Sequence, residues 1–488
     1  MKHFLGFDLG AESGRAMLGT LADGKLGLEE LHRFPNQPVR LPTGLYWDTL
    51  RLFHEIRQGL QAAARERKVA LSGVGVDTWG VDIAFLGRDG ALVDNPRHYR
   101  DARTNGQMER TFAIVPREEI FSATGVQFMQ INSLFQWHGM HQAESPALDV
   151  AETLLFMPDL FNYFLTGIKR CELTIASTSQ FYDPVRKCFA VELLERLGLN
   201  PRILPPVVNP GALLGPLKDE AGEHNIPVFA AAGHDTACAV AAAPAQGDMD
   251  WCYISSGTWS LMGVETMEPV INEHSLAMNF TNEVGVEGRI RLLKNIAGLW
   301  LWQECRRAWA EEGANYDYTQ MTRMAFAARP FTAVIHPDAF LSPGDMPAKI
   351  AAHCREHGED PPAGHGEYCR AILESLALRY RQVLESLERL LGRTLKRIHI
   401  VGGGSRNMLL NQFVADATGR VVIAGPSEAT AAGNILVQAM GAGLVKNLEE
   451  IRGVVAASFP VTVLEPKDKE PWDAAYERFV AVHAAMTR

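Results

Sequence analysis

Several short polar segments between apolar stretches carry residue types suited to phosphate and hydroxyl chemistry. The segment GHDT places Asp235 between the apolar strand VFAAAG and the start of an Ala-rich helix. A carboxylate at such a junction can take a proton from a substrate hydroxyl, and it can also cap the helix that follows. The two roles are compatible. His234 is interpreted as a hydrogen-bonding neighbour rather than a second base.

A hairpin turn that presents backbone N–H groups is predicted near the N-terminus by the sequence FDLGAESGR. Such a concave set of donors binds phosphate oxygens, and Arg15 can add a charge-assisted contact. Asp8 at the strand end suits Mg²⁺ reached through water, although an ordinary turn with a solvated Asp8 is the alternative. The segment ISSGTWSLMG repeats this pattern with Gly257 and Thr258 in the turn. Two such turns can hold one polyphosphate.

A candidate sugar site is indicated by the segment VGVDTWGVD, in which Asp77, Trp79, Gly80 and Asp82 are predicted to lie within an apolar strand. A flat apolar ring beside hydroxyl-pairing carboxylates is typical of sugar recognition. The alternative is a β-bulge at Gly80 with Trp79 in the core.

Three consecutive glycines follow the predicted strand IHIV, in a strand–glycine–helix unit at 400–409. Glycines let a ligand approach the backbone closely. The unit is not a dinucleotide fingerprint, because Asn407 occupies the position of the third glycine, and this argues against an NAD enzyme. A P-loop is excluded as well, since the Gly-Lys pair at Gly24 is followed by Leu26. A nucleotide site here must be of another type.

The elements that must position these residues recur twice along the chain. A strand–turn–strand unit begins at about residue 4 and again at about residue 251, and each is followed by an α/β stretch of similar length. We therefore predict two similar α/β domains facing a shared cleft. The predicted boundaries are 1–244 and 250–445, with a C-terminal extension over 446–488.

Helix ends are predicted from capping residues. Asp48 is expected to cap the first long helix, and Gly392 is expected to end a helix over 366–391. The helix after the three glycines is expected to be capped by Ser405 and ended by Gly419.

Length and composition narrow the class of protein. A chain of 488 residues is too long for one core, and a net charge of −10 argues against nucleic-acid binding. Asp8 and Glu12 interrupt the N-terminal stretch where a signal peptide needs an apolar run, and no apolar run is long enough for a membrane span. We expect a cytoplasmic protein with reduced cysteines. Pairing of Cys354 with Cys369 stays open.

Together these segments, with YRDARTNG, MPDLFNYFLTG, NIAGLWLWQECR and VGGGSRNMLLNQFVADATGRVV, resemble the FGGY carbohydrate kinases from about residue 4 to 445. The resemblance implies two actin-like ATPase (ribonuclease H-like) domains around a catalytic cleft, and ATP and Mg²⁺ as co-substrate and metal. The DTWGVD and RTNG segments indicate the branch of the family that phosphorylates the ketose L-rhamnulose to L-rhamnulose 1-phosphate in L-rhamnose degradation.

The resemblance also implies residue roles, with Asp235 as proton acceptor. Nucleotide contacts are implied at Ala11, Glu12, Ser13, Gly14, Arg15, Thr258, Gln303 and Gly403. Sugar contacts are implied at Gly80, His234, Asp235, Thr236 and Asn295, in addition to the Asp77 and Trp79 proposed above. Members that use glycerol carry an Arg-Glu pair in place of Trp79-Gly80, which argues against glycerol. The direction in which Glu12 points is left open.

Two other hypotheses remain from the sequence. One is a related kinase of another ketose, such as L-fuculose. The other is a nucleotide-switched ATPase like actin or the Hsp70-type chaperones, which would release ADP without sugar. Monomer and homodimer are both compatible with the sequence.

Overall fold

The computed structural model describes residues 1–219, 222–247 and 249–486. The β-strands are β1 (Lys2–Leu9), β2 (Ser13–Ala22), β3 (Lys25–Pro35), β4 (Val39–Leu41), β5 (Gly44–Tyr46), β6 (Leu71–Thr78), β7 (Ile83–Leu86), β8 (Thr153–Phe156), β9 (Cys171–Glu172), β10 (Tyr182–Asp183), β11 (Cys188–Phe189), β12 (Val207–Val208), β13 (Leu213–Asp219), β14 (Gly222–Phe229), β15 (Trp251–Ser256), β16 (Ser260–Thr266), β17 (Thr281–Val284), β18 (Ile290–Ile296), β19 (Arg397–Val401), β20 (Val421–Ala424) and β21 (Thr462–Leu464).

The α-helices are α1 (Thr49–Gln61), α2 (Gln107–Phe112), α3 (Arg117–Thr124), α4 (Ser133–Gln142), α5 (Pro146–Val150), α6 (Met157–Thr166), α7 (Leu173–Ala176), α8 (Val191–Arg196), α9 (Asp235–Ala241), α10 (Glu273–Ala277), α11 (Trp300–Glu311), α12 (Tyr318–Ala327), α13 (Met346–Glu356), α14 (His365–Leu391), α15 (Met408–Thr418), α16 (Ala429–Gly441), α17 (Leu448–Ser458) and α18 (Glu470–Met486).

The chain forms two compact units that are not contiguous in sequence. The first unit contains 1–246, 265–293 and 429–459, and the second contains 247–264, 294–428 and 460–488. The domain boundaries predicted above follow the chain, whereas the segments 265–293 and 429–459 return to the first unit. The physical reason is side-chain contact: Arg452 on α17 forms a buried ion pair with Glu265 at 2.6 Å.

A six-stranded sheet forms the centre of the first unit, in the order β13-β14-β6-β1-β2-β3. The predicted N-terminal hairpin is confirmed, because β1 and β2 pair antiparallel, and β1 also pairs parallel with β6. Phe4, Leu5, Phe7 and Leu9 of β1 are all fully buried. Helix α16 packs against β1, and α1 reaches the sheet at Gly59, where a Cβ would lie 2.7 Å from a ring carbon of Phe7.

The stretch predicted as one strand through DTWGVD is broken into two. Strand β6 ends at Thr78 and β7 begins at Ile83, so Trp79, Gly80 and Asp82 do not lie within a strand. Between them Val81 has a φ of 69°, which a β-branched residue rarely adopts and which no strand accommodates. This turn redirects the chain away from the central sheet, and β7 pairs with β8 instead.

In the second unit, neighbouring strands follow the order β16-β15-β19-β20-β21. The second predicted hairpin is confirmed, because β15 and β16 pair antiparallel, while β15, β19 and β20 run parallel. Helix α14 ends at Gly392 with a φ of 62°, as predicted. The predicted cap Ser405 is wrong. It lies in a short 3₁₀ turn, and the side chain of Asn407 caps α15 by accepting from Leu410 N.

All seven cysteines are free thiols, so the bond between Cys354 and Cys369 that the sequence left open is not formed. Within the described part of the chain, no helix has the length and apolar character that crossing a bilayer requires.

Candidate active site

Asp235 is the first residue of α9, and its carboxylate is partly open to solvent. His234 occupies the position before the helix, and its side chain makes no capping hydrogen bond. The Asp235 side chain keeps 30% of its surface exposed, and its Oδ1 accepts a hydrogen bond from Thr236 Oγ1 at 3.1 Å. The predicted base is therefore available to a small polar ligand while its orientation is restrained by the next residue.

The ionisation of Asp235 reflects opposing influences. Loss of hydration in the surrounding protein raises the pKa of the carboxyl above its ordinary value. His234, when protonated, lowers this pKa by its charge, Asp8 raises it as a like charge, and the hydrogen bonds of Thr236 lower it. The net direction is upward, which brings a carboxylate closer to the basicity that proton abstraction requires.

Asp8 and Asp77 lie side by side at the carboxyl ends of β1 and β6, where the parallel register makes them neighbours. Asp77 has no exposed surface. Its Oδ2 accepts from Asn434 Nδ2 at 2.6 Å, and its Oδ1 has no hydrogen-bond partner. Burial raises the pKa of Asp77 well above its usual range, and the charges of Asp8 and Asp235 raise it further. Asp77 therefore presents no surface to a sugar in this structure, and its sugar contact stays a prediction.

Arg15 lies opposite Asp8 in the hairpin register and forms an ion pair with it. Among the residues that the structure describes, no group of three His, Cys, Asp or Glu side chains would hold a metal by itself. The few carboxylates present here, such as Asp8, nevertheless fit Mg²⁺. This ion typically takes one or two carboxylates and completes its shell with water and phosphate oxygens. Asp8, Asp77 and Asp235 repel one another as like charges, and a divalent cation bound near them would reduce this repulsion.

The first predicted phosphate turn has a defined shape. Gly10 N donates to Ser13 O at 3.0 Å, and Asn36 braces the turn, donating from its backbone to Glu12 O and from Nδ2 to Gly10 O. Glu12 is exposed, Ala11 and Ser13 are half-buried. At Gly14 a Cβ would lie 2.2 Å from a ring carbon of Phe34, so only glycine fits. Sequence reasoning missed Asn36, which carries no motif.

Trp79 is buried with 5% of its surface exposed, so the core alternative describes it better than a sugar-stacking role. Its ring centroid lies 4.0 Å from that of Trp47. Both indoles donate to Asp82 Oδ2, at 2.6 Å from Trp47 and 2.9 Å from Trp79. Burial raises the pKa of Asp82 to about 6 against these hydrogen bonds. The hydrogen bonds of this cluster hold both ends of the turn at Gly80 and Val81, since Trp79 precedes the turn and Asp82 follows it.

Gly80 lies next to His234, as the predicted sugar site requires. A Cβ on Gly80 would be 3.4 Å from His234 Nε2 and 3.5 Å from Thr178 Oγ1. The strained backbone of Val81 is held by side chains, since Ser133 Oγ donates to its carbonyl and Thr178 Oγ1 accepts from its N–H. Such strain is retained where the surrounding structure enforces it and is typical of functional sites.

The loop that carries His234 is anchored by a buried carboxylate. Glu172 Oε2 accepts from Gly233 N at 2.8 Å and from Thr174 N at 2.9 Å. Thr174 Oγ1 in turn accepts from His234 N at 3.2 Å. Sequence reasoning missed both residues; a glutamate inside the apolar run CELTIA was the available signal. These bonds determine where the backbone before Asp235 lies.

In the second unit, Thr258 and Gln303 are connected through the start of α11. Thr258 O accepts from Trp300 N at 3.1 Å, so the turn between β15 and β16 contacts the first residue of α11. Gln303 lies on that helix, and its Oε1 is buried without a hydrogen-bond partner. An unpaired buried acceptor costs free energy, and a ligand N–H or O–H would satisfy it. Asn295, a predicted sugar contact, is half-buried on β18.

The three glycines have different roles. Gly402 has a φ of 81°, and at Gly404 a Cβ would lie 2.0 Å from Ser256 Oγ, so both serve the packing of the loop on β15. A Cβ on Gly403 would meet no atom within 4 Å. Gly403 is therefore the glycine of this loop that faces open space, and its nucleotide contact stays a prediction.

Comparison with known proteins gives the family. The chain matches the model of the FGGY carbohydrate kinases, N-terminal domain, over residues 3–242 and that of the C-terminal domain over 252–442. It is similar to the rhamnulokinase of Bacteroides thetaiotaomicron, with 46% identity over 484 residues, covering 98% of the chain and 99% of the relative. The rhamnulokinase of Bacillus subtilis is 37% identical over 476 residues, covering 95% and 96%.

Solved structures show the same fold. The xylulose kinase of Lactobacillus acidophilus has a TM-score of 0.82 at 15% identity, covering 100% of the chain and 99% of that protein. The glycerol kinase of Plasmodium falciparum with ADP has a TM-score of 0.78 at 15% identity, covering 100% and 98%. The fold is thus that of the actin-like ATPases, and with two matching domain models and full-length relatives the chain belongs to the FGGY family of carbohydrate kinases.

Proposed function

We propose that this sugar kinase transfers the γ-phosphoryl group of ATP to the 1-hydroxyl of L-rhamnulose, giving L-rhamnulose 1-phosphate and ADP in L-rhamnose degradation. The observation that carries the mechanism is Asp235, a partly exposed carboxylate with a raised pKa at the start of α9. The choice of sugar is supported by relatives named rhamnulokinase, one of them 46% identical over nearly the whole chain.

In this proposal Asp235 acts as the general base. Its contacts with His234 and Thr236 are both to Oδ1, so we assign Oδ2 to the substrate. As the sugar oxygen bonds to the γ-phosphorus and the bond to the ADP oxygen breaks, the hydroxyl proton moves to Oδ2. Phosphoryl transfer depends mainly on positioning and charge stabilisation, so one base of this kind suffices.

The remaining contacts are proposed on the same basis. Gly80, His234, Thr236 and Asn295 are assigned to the sugar. The nucleotide contacts are assigned to Ala11, Glu12, Ser13, Gly14, Arg15, Thr258, Gln303 and Gly403. Asp8 would hold Mg²⁺ through water, and the metal would neutralise charge on the phosphates.

The test is product identification with a panel of ketoses. The purified protein is incubated with ATP, Mg²⁺ and L-rhamnulose, L-fuculose, L-ribulose or D-xylulose, and ADP release and phosphorylated products are followed by a coupled assay and by ³¹P and ¹³C NMR. We expect one ADP per sugar phosphorylated at O1, with the highest kcat/KM for L-rhamnulose. A higher kcat/KM for L-fuculose would reassign the substrate, and equal ADP release without sugar would indicate a nucleotide-switched ATPase.

A further inference from the structure

A buried ion pair lies directly behind His234. Glu283 on β17 and Arg291 on β18 are cross-strand partners in antiparallel register, and Arg291 Nη2 lies 3.1 Å from Glu283 Oε2. The Arg291 side chain has no exposed surface, and that of Glu283 has 5%. Burying two charges is expensive and adds little net stability. We therefore infer that this ion pair serves the candidate active site rather than the stability of the fold.

Both members of the pair contact the His234 ring. His234 Nδ1 lies 3.2 Å from Arg291 Nη2 and 3.3 Å from Glu283 Oε2. The contact of Nδ1 with Arg291 has hydrogen-bond geometry, whereas its contact with Glu283 Oε2 is an ion-pair distance without that geometry. A guanidinium group can only donate, so Nδ1 must accept. The ring proton then resides on Nε2, which faces Asp235 Oδ1 at 3.4 Å.

We propose that Glu283 and Arg291 are positioning residues for the phosphoryl transfer: Glu283 orients Arg291, Arg291 keeps His234 as the Nε2–H tautomer, and this N–H orients the Asp235 carboxylate. The last link rests on the proposed role of Asp235 as base. The opposite tautomer would turn the bare lone pair of Nε2 towards Asp235 Oδ1, and this repulsion would displace the carboxylate.

The residues packed around His234 restrain the position of its ring. Its backbone N–H is held by Thr174 Oγ1, and a Cβ built on Gly80 would lie 3.4 Å from its Nε2, so Gly80 packs close to the ring. Burial alone raises the pKa of Glu283, but the opposing influences, of which the charge of Arg291 is the largest, lower the pKa overall, so Glu283 remains ionised. The tautomer of a histidine is set by the hydrogen bond that its other nitrogen makes, and here that partner is Arg291.

The direct test is the tautomer itself. In protein labelled with ¹⁵N-histidine, long-range ¹H–¹⁵N NMR spectra at about pH 8, above the ordinary titration range of imidazole, distinguish the two neutral forms, and His234→Gln identifies the signal. We expect the Nε2–H form in the native protein and the Nδ1–H form in Arg291→Met, where Glu283 becomes the partner of Nδ1. An Nδ1–H form in the native protein, or an unchanged tautomer in folded Arg291→Met, would overturn the proposal.

The native measurement needs neither the variant nor a substrate, so it decides the tautomer even where Arg291→Met does not fold or L-rhamnulose proves not to be the substrate. Kinetics tests the consequence. We expect Glu283→Gln to lower kcat by at least about tenfold and to raise KM for the ketose, with KM for ATP unchanged. If Glu283→Gln only reduced the fraction of folded protein, the apparent kcat would fall while both KM values stayed unchanged.

Two further variants complete the comparison. Glu283→Asp keeps the charge beside Arg291 and should recover part of the lost kcat. Glu29→Gln makes the same change in an exposed ion pair with Arg67 and should leave the kinetics at the native level. Native kcat and KM in Glu283→Gln would contradict the proposed positioning role.

Discussion

Asp235 combines two properties that oppose each other in a folded protein. It must be ionised to accept a proton, yet its surroundings raise its pKa because they remove part of its hydration and because Asp8 lies near. The folded state therefore binds a proton at Asp235 more readily than the unfolded chain does. By linkage, this contribution stabilises the fold below the folded pKa and is lost as the carboxyl ionises at higher pH.

The replacement Asp235→Asn removes the base while keeping shape and size. We expect kcat to fall by at least about a hundredfold, the usual scale for a lost general base, and the thermal unfolding temperature at neutral pH to stay equal or rise, because a poorly hydrated charge is removed. Asp149→Asn is the matched control, since Asp149 is an exposed residue in the first turn of α5. Near-normal turnover in a folded Asp235→Asn protein would remove this residue from the mechanism.

The pH profile should report the same carboxylate. The base form is the ionised one, so kcat/KM is expected to fall as pH decreases through the pKa of Asp235, and the raised pKa places this acid limb above the ordinary aspartate range of about 4. The measurement is kcat/KM for the ketose between about pH 4 and 9 at constant ionic strength. In Asp235→Asn the residual activity should lack this limb, and an acid limb unchanged in that variant would contradict the assignment.

At the scale of elements, the helix that begins with Asp235 is positioned by its packing against α16. At Gly433 on α16 a Cβ would lie only 1.9 Å from the carbonyl oxygen of Cys238 on α9. The two helix backbones can approach this closely only because glycine has no side chain. The position of α9 relative to the sheet therefore depends on one residue near the end of the chain.

The replacement Gly433→Ala tests this contact. Although alanine favours helix by about 1 kcal/mol over glycine, the overlap must separate the helices, and we expect a net loss of about 2 kcal/mol or more in the free energy of unfolding, with lower kcat because α9 shifts. Urea unfolding and steady-state kinetics measure both. Gly453→Ala on α17 is the control, since a Cβ there would meet only Gln246 Nε2 at 3.9 Å; its stability should be equal or higher. Equal stability of the two variants would refute the close packing.

Neighbouring residues in the sequence were sufficient to predict the ends of some helices, but they were insufficient to predict where β6 ends. Asp48 accepts from Arg51 N and caps α1 as predicted, and Gly392 ends α14, because a cap depends on its own few residues. The break after β6 was missed. DTWGVD reads as a strand by composition, but contacts from distant residues such as Ser133 hold Val81 at a positive φ.

At the scale of the whole molecule, the chain returns to its first unit after forming parts of the second. Segments 265–293 and 429–459 supply that unit with the pair behind His234, the partner of Asp77, and α17. The ion pair between Glu265 and Arg452 joins these two segments and is largely buried. Assembly of the site thus depends on contacts between residues far apart in sequence.

The replacement Glu265→Gln removes the carboxylate that pairs with Arg452 in a largely buried place. We expect a loss of about 3 kcal/mol in the free energy of unfolding, the scale for breaking a buried pair from one side, with little change in KM for the remaining folded enzyme. Chemical denaturation followed by circular dichroism measures the loss. Glu268→Gln, an exposed neighbour, should unfold at the native denaturant concentration. A Glu265→Gln protein as stable as this control would show that the pair does not hold the segments together.

The sequence by itself determined the family, the two hairpins, the candidate base and the glycine turns, because these depend on short motifs and on local backbone preferences. The tertiary structure decided which of the candidate residues are buried and which are open. Trp79 and Asp77 proved buried, Gly403 open, and the pair of Glu283 and Arg291 was found beside His234. The physical reason is that burial, pKa and tautomer arise from neighbours brought together by packing, and a linear pattern carries no record of such neighbours.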